Sequence, residues 1–479
     1  MNAAITLNWI VAMPELVLAL CAMAVLVFGV LQHRDCFQLC SMLAVGALLL
    51  TAALVAAGPL GQGYHGLFAS DHFSVFAKLL ILAASAMGIV VSLDYNEHQN
   101  LRRFEFPVLI LLCTVGMMLM ASATNLMSLY IGLELQSLSM YVLAAFARDQ
   151  LRSAEAGLKF FVLGALASGL LLYGISLVYG FAGAMGFDQL AAALSNPAGA
   201  SAGLVVGIVF IVVGLAFKIS AVPFHMWTPD VYEGAPTPVT SFIGTAPKVA
   251  AMVLLVRVMA TPFGHLLGQW QQLIVLVSIA SMLIGSLAAI GQFSIKRLMA
   301  YSSIGHMGYA LIGLAAGTAV GIRGVLIYLV TYVFMNAGTF ACIIAMKRRG
   351  IMLEKISDLS GLGRTDPGLA LWMTIFMFSM AGIPPFSGFW GKYFIFTAAV
   401  QSGLWTLAVI GVLTSVIGAY YYLRIIKVMY FDAAVEAFDP RPASLSLVAA
   451  GAGLFTAFIS IFLNPIVAAA DAASRVLFG

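Results

Sequence analysis

The chain has 479 residues, of which 62% are hydrophobic and only 9% are charged, and its mean hydropathy is +1.04. A soluble domain has about 25% charged residues, so this composition excludes a soluble globular protein and indicates a polytopic membrane protein. The net charge of +4 is small and does not imply a nucleic-acid partner.

Fourteen apolar runs are long enough to cross a bilayer, which takes about 20 helical residues. The first run has no basic segment before it, which favours a retained helix over a cleaved signal peptide. We therefore predict an all-α polytopic membrane protein with a single membrane domain over residues 1–479. The predicted spans lie near 9–31, 37–58, 73–93, 106–122, 124–146, 156–183, 203–222, 238–260, 272–292, 298–318, 323–346, 370–400, 404–428 and 444–470.

Lysine and arginine are distributed unequally between the two sets of loops. Fifteen lie after odd-numbered spans, from Arg34 to Arg441, and only Arg257, Arg323 and Arg475 lie on the other side. Basic residues accumulate on the cytoplasmic side of a membrane, so this count predicts that both termini are outside the cytoplasm.

Two spans are interrupted by proline at comparable positions. One has Lys218, Pro223 and Trp227, and the other has Pro385 and Lys392 with Trp390 between them. Proline removes a backbone donor, and broken helices at corresponding places in two halves point to an inverted-repeat transporter and its ion site. The spacing of the two breaks fits a five-helix repeat. The predicted division is 1–105 for the first three spans, 106–260 for the first repeat, 272–430 for the second repeat and 444–479 for the last span.

We single out six charged residues inside the apolar runs, where a charge costs about 2.5–3.5 kcal/mol on insertion scales. Such residues usually face a partner or water and mark an ion or proton path. Two of the lysines lie near span ends, where snorkelling to the interface is the alternative explanation; they are Lys78 and Lys159. The six residues are Lys78, Glu134, Lys159, Lys218, Lys248 and Lys392.

Polar residues at helical spacing accompany these charges. Stripes that could line one hydrated route are Tyr130, Glu134, Ser137 and Tyr141; Lys218 and His225; Ser241, Thr245 and Lys248; Ser302, His306 and Tyr309; and Tyr332, Asn336 and Thr339. Glu134 has an alternative role as an acid that only joins two helices. His306 has an alternative role as a hydrogen-bonded core histidine.

Lysine suits proton transfer in such a setting. In water its pKa is about 10.4, too high for a carrier near neutrality, but burial lowers the pKa of an amine by up to 3–5 units and a nearby carboxylate raises it. An acid that approaches or leaves a buried amine therefore switches the amine between keeping and releasing a proton. One pKa unit corresponds to about 1.36 kcal/mol, and one charge crossing 100 mV requires about 2.3 kcal/mol.

Signatures of other chemistry are missing. There is no P-loop, no dinucleotide-binding glycine motif and no HExxH motif. Cys36 and Cys40 form an isolated pair among five cysteines, whereas a zinc site takes about four ligands. We expect no metal and no bound cofactor in this chain.

Three segments resemble the antiporter-like membrane subunits of respiratory complex I. They run from Lys218 to Phe242, from Tyr130 to Leu138 and from Gly382 to Lys392. The resemblance covers nearly the whole chain and implies a proton channel. In that channel Glu134 pairs with Lys218, Lys248 connects the two halves, and Lys392 exchanges protons with the outer side.

We accordingly interpret the chain as a proton-translocating subunit of a proton-pumping NADH:quinone oxidoreductase in a bacterial inner membrane. The resemblance implies that NADH, FMN, iron–sulfur clusters and quinone bind in partner subunits, and that the partners include other membrane subunits of the complex. The candidate site residues are Glu134, Lys218, His225, Lys248, His306 and Lys392. A subunit of a multi-subunit cation/proton antiporter and a passive scaffold between neighbouring subunits are the two alternative functions.

Overall fold

The computed structural model describes residues 8–32, 35–195 and 201–478, and most of them are helical. Two short antiparallel strand pairs lie in loops, β1 Gly61–Gly63 with β2 Phe68–Ser70 and β3 Lys347–Arg348 with β4 Ile351–Met352. The α-helices are α1 Met13–Leu31, α2 Phe37–Ala57, α3 His72–His98, α4 Glu105–Ser122, α5 Leu126–Ala144, α6 Leu151–Ala182, α7 Phe187–Ala193, α8 Ala202–Lys218, α9 Trp227–Gly234, α10 Thr237–Ile243, α11 Ala246–Ala260, α12 Leu267–Ile290, α13 Ile295–Ala315, α14 Ala319–Ile344, α15 Leu362–Thr365, α16 Pro367–Ala381, α17 Ser387–Gln401, α18 Trp405–Phe431 and α19 Ala443–Arg475.

The membrane character predicted from composition is confirmed. Eleven helical segments of the described chain are long and apolar enough to cross a membrane, with α10 and α11 counted as one segment. Two shorter apolar helices, α8 and α16, end at the proline breaks. The all-helical polytopic fold is therefore established, whereas the number of spans remains a prediction.

Close helix packing depends on small residues. A Cβ atom at Gly116 of α4 would lie 2.5 Å from the backbone nitrogen of Gln136 on α5, and one at Gly132 would lie 3.0 Å from the nitrogen of Met120. Glycine at both positions lets the two backbones approach, as is common between membrane helices. This contact fixes α5, which carries Glu134 and Ser137, against the buried helix α4.

Both predicted breaks are present. The first separates α8 from α9 around Pro223, and the second separates α16 from α17 around Pro384 and Pro385. Proline supplies no N–H for a continuous helix, so the chain turns at each place. Lys218 is the last residue of α8 and His225 lies beyond its end, so our prediction that they share one helical face is wrong.

A third interruption was not predicted. Helix α10 ends at Ile243 and α11 begins at Ala246, with Thr245 in a non-helical conformation between them. The predicted stripe of Ser241, Thr245 and Lys248 therefore crosses a break. Pro247 stands in the first turn of α11, where a proline is tolerated because the N–H groups there have no partner within the helix.

Ion pairs join several of the loops that the count of basic residues placed on one side. Lys347 lies 3.8 Å from Asp94, while Glu354 lies 4.0 Å from Arg152 and 3.0 Å from Lys296. These contacts connect the loops after the third, fifth, ninth and eleventh predicted spans at one face of the bundle. Arg34, which belongs to the same predicted set, lies outside the described residues.

Lys78 of α3 does not snorkel, which corrects the explanation that its position near a span end suggested. Its Nζ atom lies 2.6 Å from Glu15 Oε1 on α1, and the two side chains are only 1% and 4% exposed. The Phe68 ring covers the amine at 4.7 Å. Glu15 lies within the first predicted span, and its charge at that depth is the signal that the sequence analysis missed.

We predict that Glu15→Gln destabilises the purified membrane protein by about 3–5 kcal/mol, because removing one partner leaves a buried charge uncompensated. The measurement is the fraction that stays folded after heating in detergent. The double variant Glu15→Gln with Lys78→Met should recover most of the loss. Glu436→Gln, which breaks an exposed pair with Arg349, is the matched control and should change little. Wild-type heat resistance of Glu15→Gln would contradict the assignment.

Candidate functional site

The first buried amine of the site is that of Lys218. It ends α8, is 8% exposed, and donates to Ser137 Oγ at 2.7 Å and to Tyr141 OH at 3.3 Å, both on α5. The predicted polar stripe on α5 thus faces Lys218. The nearest hydrogen-bond partner of the Lys218 amine, however, is the hydroxyl of Ser137 and not the carboxylate of Glu134.

Glu134 lies three residues before Ser137 on α5 and is half-buried. No ion pair within 4.0 Å joins Glu134 to Lys218 among the described residues, and Glu134 Oε1 is buried without a hydrogen-bond partner there. Residues three apart share one helical face. A carboxylate with free acceptor capacity therefore lies beside the hydroxyl that holds the amine.

Lys248 is the second buried amine, 1% exposed, in the first turn of α11. Its Nζ atom donates to Ser303 Oγ on α13 at 2.5 Å. The same hydroxyl lies 2.8 Å from Tyr332 OH on α14 and 3.4 Å from Tyr232 OH on α9. Lys248 is therefore connected to a group of three hydroxyls contributed by three helices.

His306 lies one turn after Ser302 and Ser303 on α13 and is 3% exposed. Its Nδ1 atom is 2.6 Å from Tyr328 OH, and its Nε2 atom is 3.2 Å from Tyr422 OH, which in turn is 2.6 Å from Ser302 Oγ. Both ring nitrogens are thus hydrogen-bonded to hydroxyls, which can donate or accept.

Lys392 is the third buried amine, 7% exposed, on α17 just after the second break. It donates to the carbonyl oxygens of Met380 at 3.1 Å and Ala381 at 3.0 Å, and to Ser415 Oγ at 2.7 Å. The two carbonyls end α16, where backbone oxygens lack helical partners and carry partial negative charge. The proline break therefore provides the acceptors for this amine.

Lys392 lies between an internal cavity and an open groove. The cavity, lined by His306, Tyr309 and Ser415 among others, measures about 10 Å³, which is room for about one water molecule. The groove measures about 680 Å³ and is formed by mainly apolar side chains of α17 and α18. The amine is therefore placed where the network around His306 reaches the surface of the chain.

The three amines share one electrostatic property. No carboxylate of the described residues lies within 4.0 Å of Lys218, Lys248 or Lys392, in contrast to Lys78 with its partner Glu15. A carboxylate favours the charged form of a neighbouring amine, so an ion pair retains its proton. Hydroxyl partners instead accept a hydrogen bond from the amine and donate another, as a proton relay requires.

His225 is not brought into this network. It lies half-buried in the first break, and its Nδ1 atom has no hydrogen-bond partner among the described residues. Asn336 of α14 is buried and also lacks a hydrogen-bond partner among the described residues.

Five residues of the network were not predicted from the sequence; they are Ser303, Tyr232, Tyr328, Ser415 and Tyr422. Polar side chains within otherwise apolar runs were the available signal for most of them.

The family model described as NADH:quinone oxidoreductase/Mrp antiporter, transmembrane, matches residues 123–418. The chain belongs to this family, and the matched range contains Glu134 and all three amines of the site.

Two relatives bear the name NADH-quinone oxidoreductase subunit N. The one from Granulibacter bethesdensis is 65% identical and the alignment covers 98% of this chain and 100% of the relative. The one from Gluconacetobacter diazotrophicus is 58% identical with the same coverage. The resemblance stated from the sequence is thereby confirmed.

Solved structures agree with this assignment. A chain of respiratory complex I from Thermus thermophilus is 32% identical and superposes with a TM-score of 0.82, covering 96% of this chain and 99% of that one. A chain of the Mrp complex from Dietzia sp. also has a TM-score of 0.82, covering 100% of this chain and 98% of that one. Its identity is 22%, so that likeness concerns the fold alone.

We predict that Ser303→Ala slows proton transfer at least about tenfold while the protein still folds. The hydroxyl links Lys248 to Tyr332, a hydrogen bond to a charged group contributes about 1.5–3 kcal/mol, and 1.36 kcal/mol is tenfold in rate. The assay is proton uptake by membrane vesicles. The control is Ser176→Ala, whose hydroxyl donates to the carbonyl oxygen of Leu172 in its own helix. Equal rates for the two variants would show that Ser303 is not on the route.

Proposed function

We propose that this chain is the proton-translocating membrane subunit of a NADH:quinone oxidoreductase and moves protons along Glu134, Lys218, Lys248, His306 and Lys392. The observation that carries the proposal is the set of three buried amines with neutral hydrogen-bond partners. The family and the names of the close relatives support the same function. These relatives favour this function over a cation/proton antiporter, for which the support is the shared family model and a shared fold.

The first step is loading of Lys218. In the described arrangement the Lys218 ammonium donates to Ser137, and Glu134 lies outside ion-pair distance. Movement of the Glu134 carboxylate towards the amine favours the charged form, and its withdrawal favours release of the proton. Glu134 is thus the residue that sets when Lys218 holds its proton.

Two sets of hydrogen-bonded hydroxyls lie along the second half of the route. A proton leaving Lys248 passes to Ser303 and on to Tyr332. Its transfer to the second set, in which Ser302 leads through Tyr422 to His306, requires a bridging water. The cavity between His306 and Lys392 accommodates a bridging water. Lys392 then releases the proton through the groove between α17 and α18.

Partner subunits supply the driving reaction. We assign NADH, FMN, the iron–sulfur clusters and quinone to other subunits, and we expect other membrane subunits of the complex and the bilayer lipid as direct neighbours. The role of this chain is to convert their conformational signal into proton transfer. A bacterial inner membrane with both termini on the periplasmic side fits the distribution of basic residues.

The proposed architecture has fourteen spans and two inverted five-helix repeats, 106–260 and 272–430, after three leading spans in 1–105 and before a last span in 444–479. The two breaks support it, since each contains a proline next to a buried amine. Lys218 precedes its break and Lys392 follows its own. Broken helices near the middle of paired repeats are typical of ion sites in transporters.

We predict that Lys218→Ala and Glu134→Ala reduce proton pumping in vesicles far more than they reduce assembly of the complex. Without the amine, or without the acid that controls it, the first step is lost. Pumping is measured by quenching of a pH-sensitive dye, and assembly by native gel electrophoresis.

The matched control is Lys427→Ala, which removes an exposed lysine paired with Asp432. Its pumping should match that of the unmodified complex. Unchanged pumping in both Lys218→Ala and Glu134→Ala would remove the mechanism and favour a scaffold. Sodium flux without flavin and iron–sulfur partners would favour the antiporter instead.

A further inference from the structure

The short helix α9 contacts the Lys218 end of the route. Trp227, its first residue, donates from Nε1 to the carbonyl oxygen of Phe217 at 3.1 Å, and Phe217 is the residue before Lys218. The Trp227 ring also stacks on Phe160 of α6 with 4.4 Å between ring centroids. A displacement of Trp227 would therefore move the last turn of α8, which carries the amine.

The other end of α9 contacts Lys248. Tyr232 is fully buried, and its hydroxyl lies 3.4 Å from Ser303 Oγ, the group that accepts from Lys248. The Lys248 Nζ atom lies 5.6 Å from the centre of the Tyr232 ring. Two residues of one eight-residue helix thus contact the surroundings of two successive amines.

A network of charges fixes α9 from both sides. Asp230 lies 2.9 Å from Lys159 of α6 and 3.0 Å from Arg297 of α13, and Arg297 also lies 2.9 Å from Glu233. Lys296 donates to the carbonyl oxygens of Glu233 and Ala235, each at 2.9 Å. Cations at the carboxyl end of a helix satisfy its free carbonyls. Asp230 is the residue through which both α6 and α13 hold α9.

The network holds α9 through several ion pairs, each of which is partly exposed and therefore contributes little by itself. The side chains of Asp230, Lys159 and Arg297 are 36%, 42% and 32% exposed. Asp230 and Lys159 border a cleft of about 140 Å³. Burial raises the pKa of Asp230, but hydrogen bonds from Lys159 and Arg297 outweigh it and keep that pKa below its ordinary value. Asp230 is therefore ionised near neutrality, and partly exposed pairs of this kind can open at small cost.

We propose that α9 couples proton loading at Lys218 to proton transfer at Lys248, and that Asp230 is the positioning residue that sets its place. The inference rests on the proposed function, because it explains how proton loading at Lys218 is linked to proton transfer at Lys248 on that route. It also gives a role to Lys159, which the sequence marked as a charge inside an apolar run and which does not touch the line of amines.

The test uses the assembled complex with Asp230→Asn, which keeps the size of the side chain and removes its charge. We expect faster amide hydrogen exchange over residues 227–234 and a fall in pumping of about fivefold or more, the lower end of typical coupling between sites. Lys159→Met removes the same contact from α6 and should give the same two changes. If the two residues act through one contact, the double variant should be no worse than the poorer single variant.

The matched control is Glu155→Gln. Glu155 contacts the same Lys159 at 2.8 Å but lies on α6 itself, so its loss should leave both exchange and pumping unchanged. Asp230→Glu, which keeps the charge, should recover most of the pumping. Faster exchange over α9 with normal pumping would overturn the proposal, as would additive losses in the double variant.

A parallel measurement on Lys218→Ala separates the two claims. If Lys218→Ala stops pumping while Asp230→Asn does not, α9 is not a coupling element and the proposed route stands. If Lys218→Ala pumps normally, the route itself is wrong and the coupling fails with it.

Discussion

A lysine amine at membrane depth needs acceptors for three N–H donors, because lipid supplies none. The structure supplies acceptors of two kinds. At Lys78 the partner is the carboxylate of Glu15, and the pair joins α1 to α3. At Lys218, Lys248 and Lys392 the partners are hydroxyls and backbone carbonyls. In the proposed mechanism the second arrangement carries the transferred proton, because its acceptors are neutral and hydroxyls can both accept and donate.

The breaks in the helices are part of this arrangement. Carbonyls at the end of α16 accept from Lys392, and the interruption at Thr245 places Lys248 in a first turn beside α13. Helix α13 then contributes Ser303 to the hydrogen bonds around Lys248, and Ser302 and His306 to a second, neighbouring set that includes Tyr422. Irregular backbone at membrane depth is tolerated where protein or a wet cavity surrounds it. In this chain the irregular segments lie next to the buried lysines.

The sequence predicted the class of fold, both proline breaks and the positions of the amines, because apolar runs, prolines and charges are readable without knowing which helices meet. Contacts between helices were not predictable in this way. Ser303 and Tyr422 become neighbours of Lys248 and His306 only through packing of α11, α13 and α18. His225 was misplaced because helical spacing was applied across Pro223, where the helix ends. Glu15 was readable as a charge within the first predicted span and was overlooked, whereas its pairing with Lys78 depends on the packing of α1 against α3.

The most direct test of the central claim is a map of the assembled complex at a resolution that shows ordered water. We predict ordered water between the surroundings of Lys218 and Lys248, and one water molecule in the cavity between His306 and Lys392. Water that bridges such groups is nearly equivalent to a direct hydrogen bond. Amines sealed from one another by dry, apolar packing in every state of the working complex would contradict it.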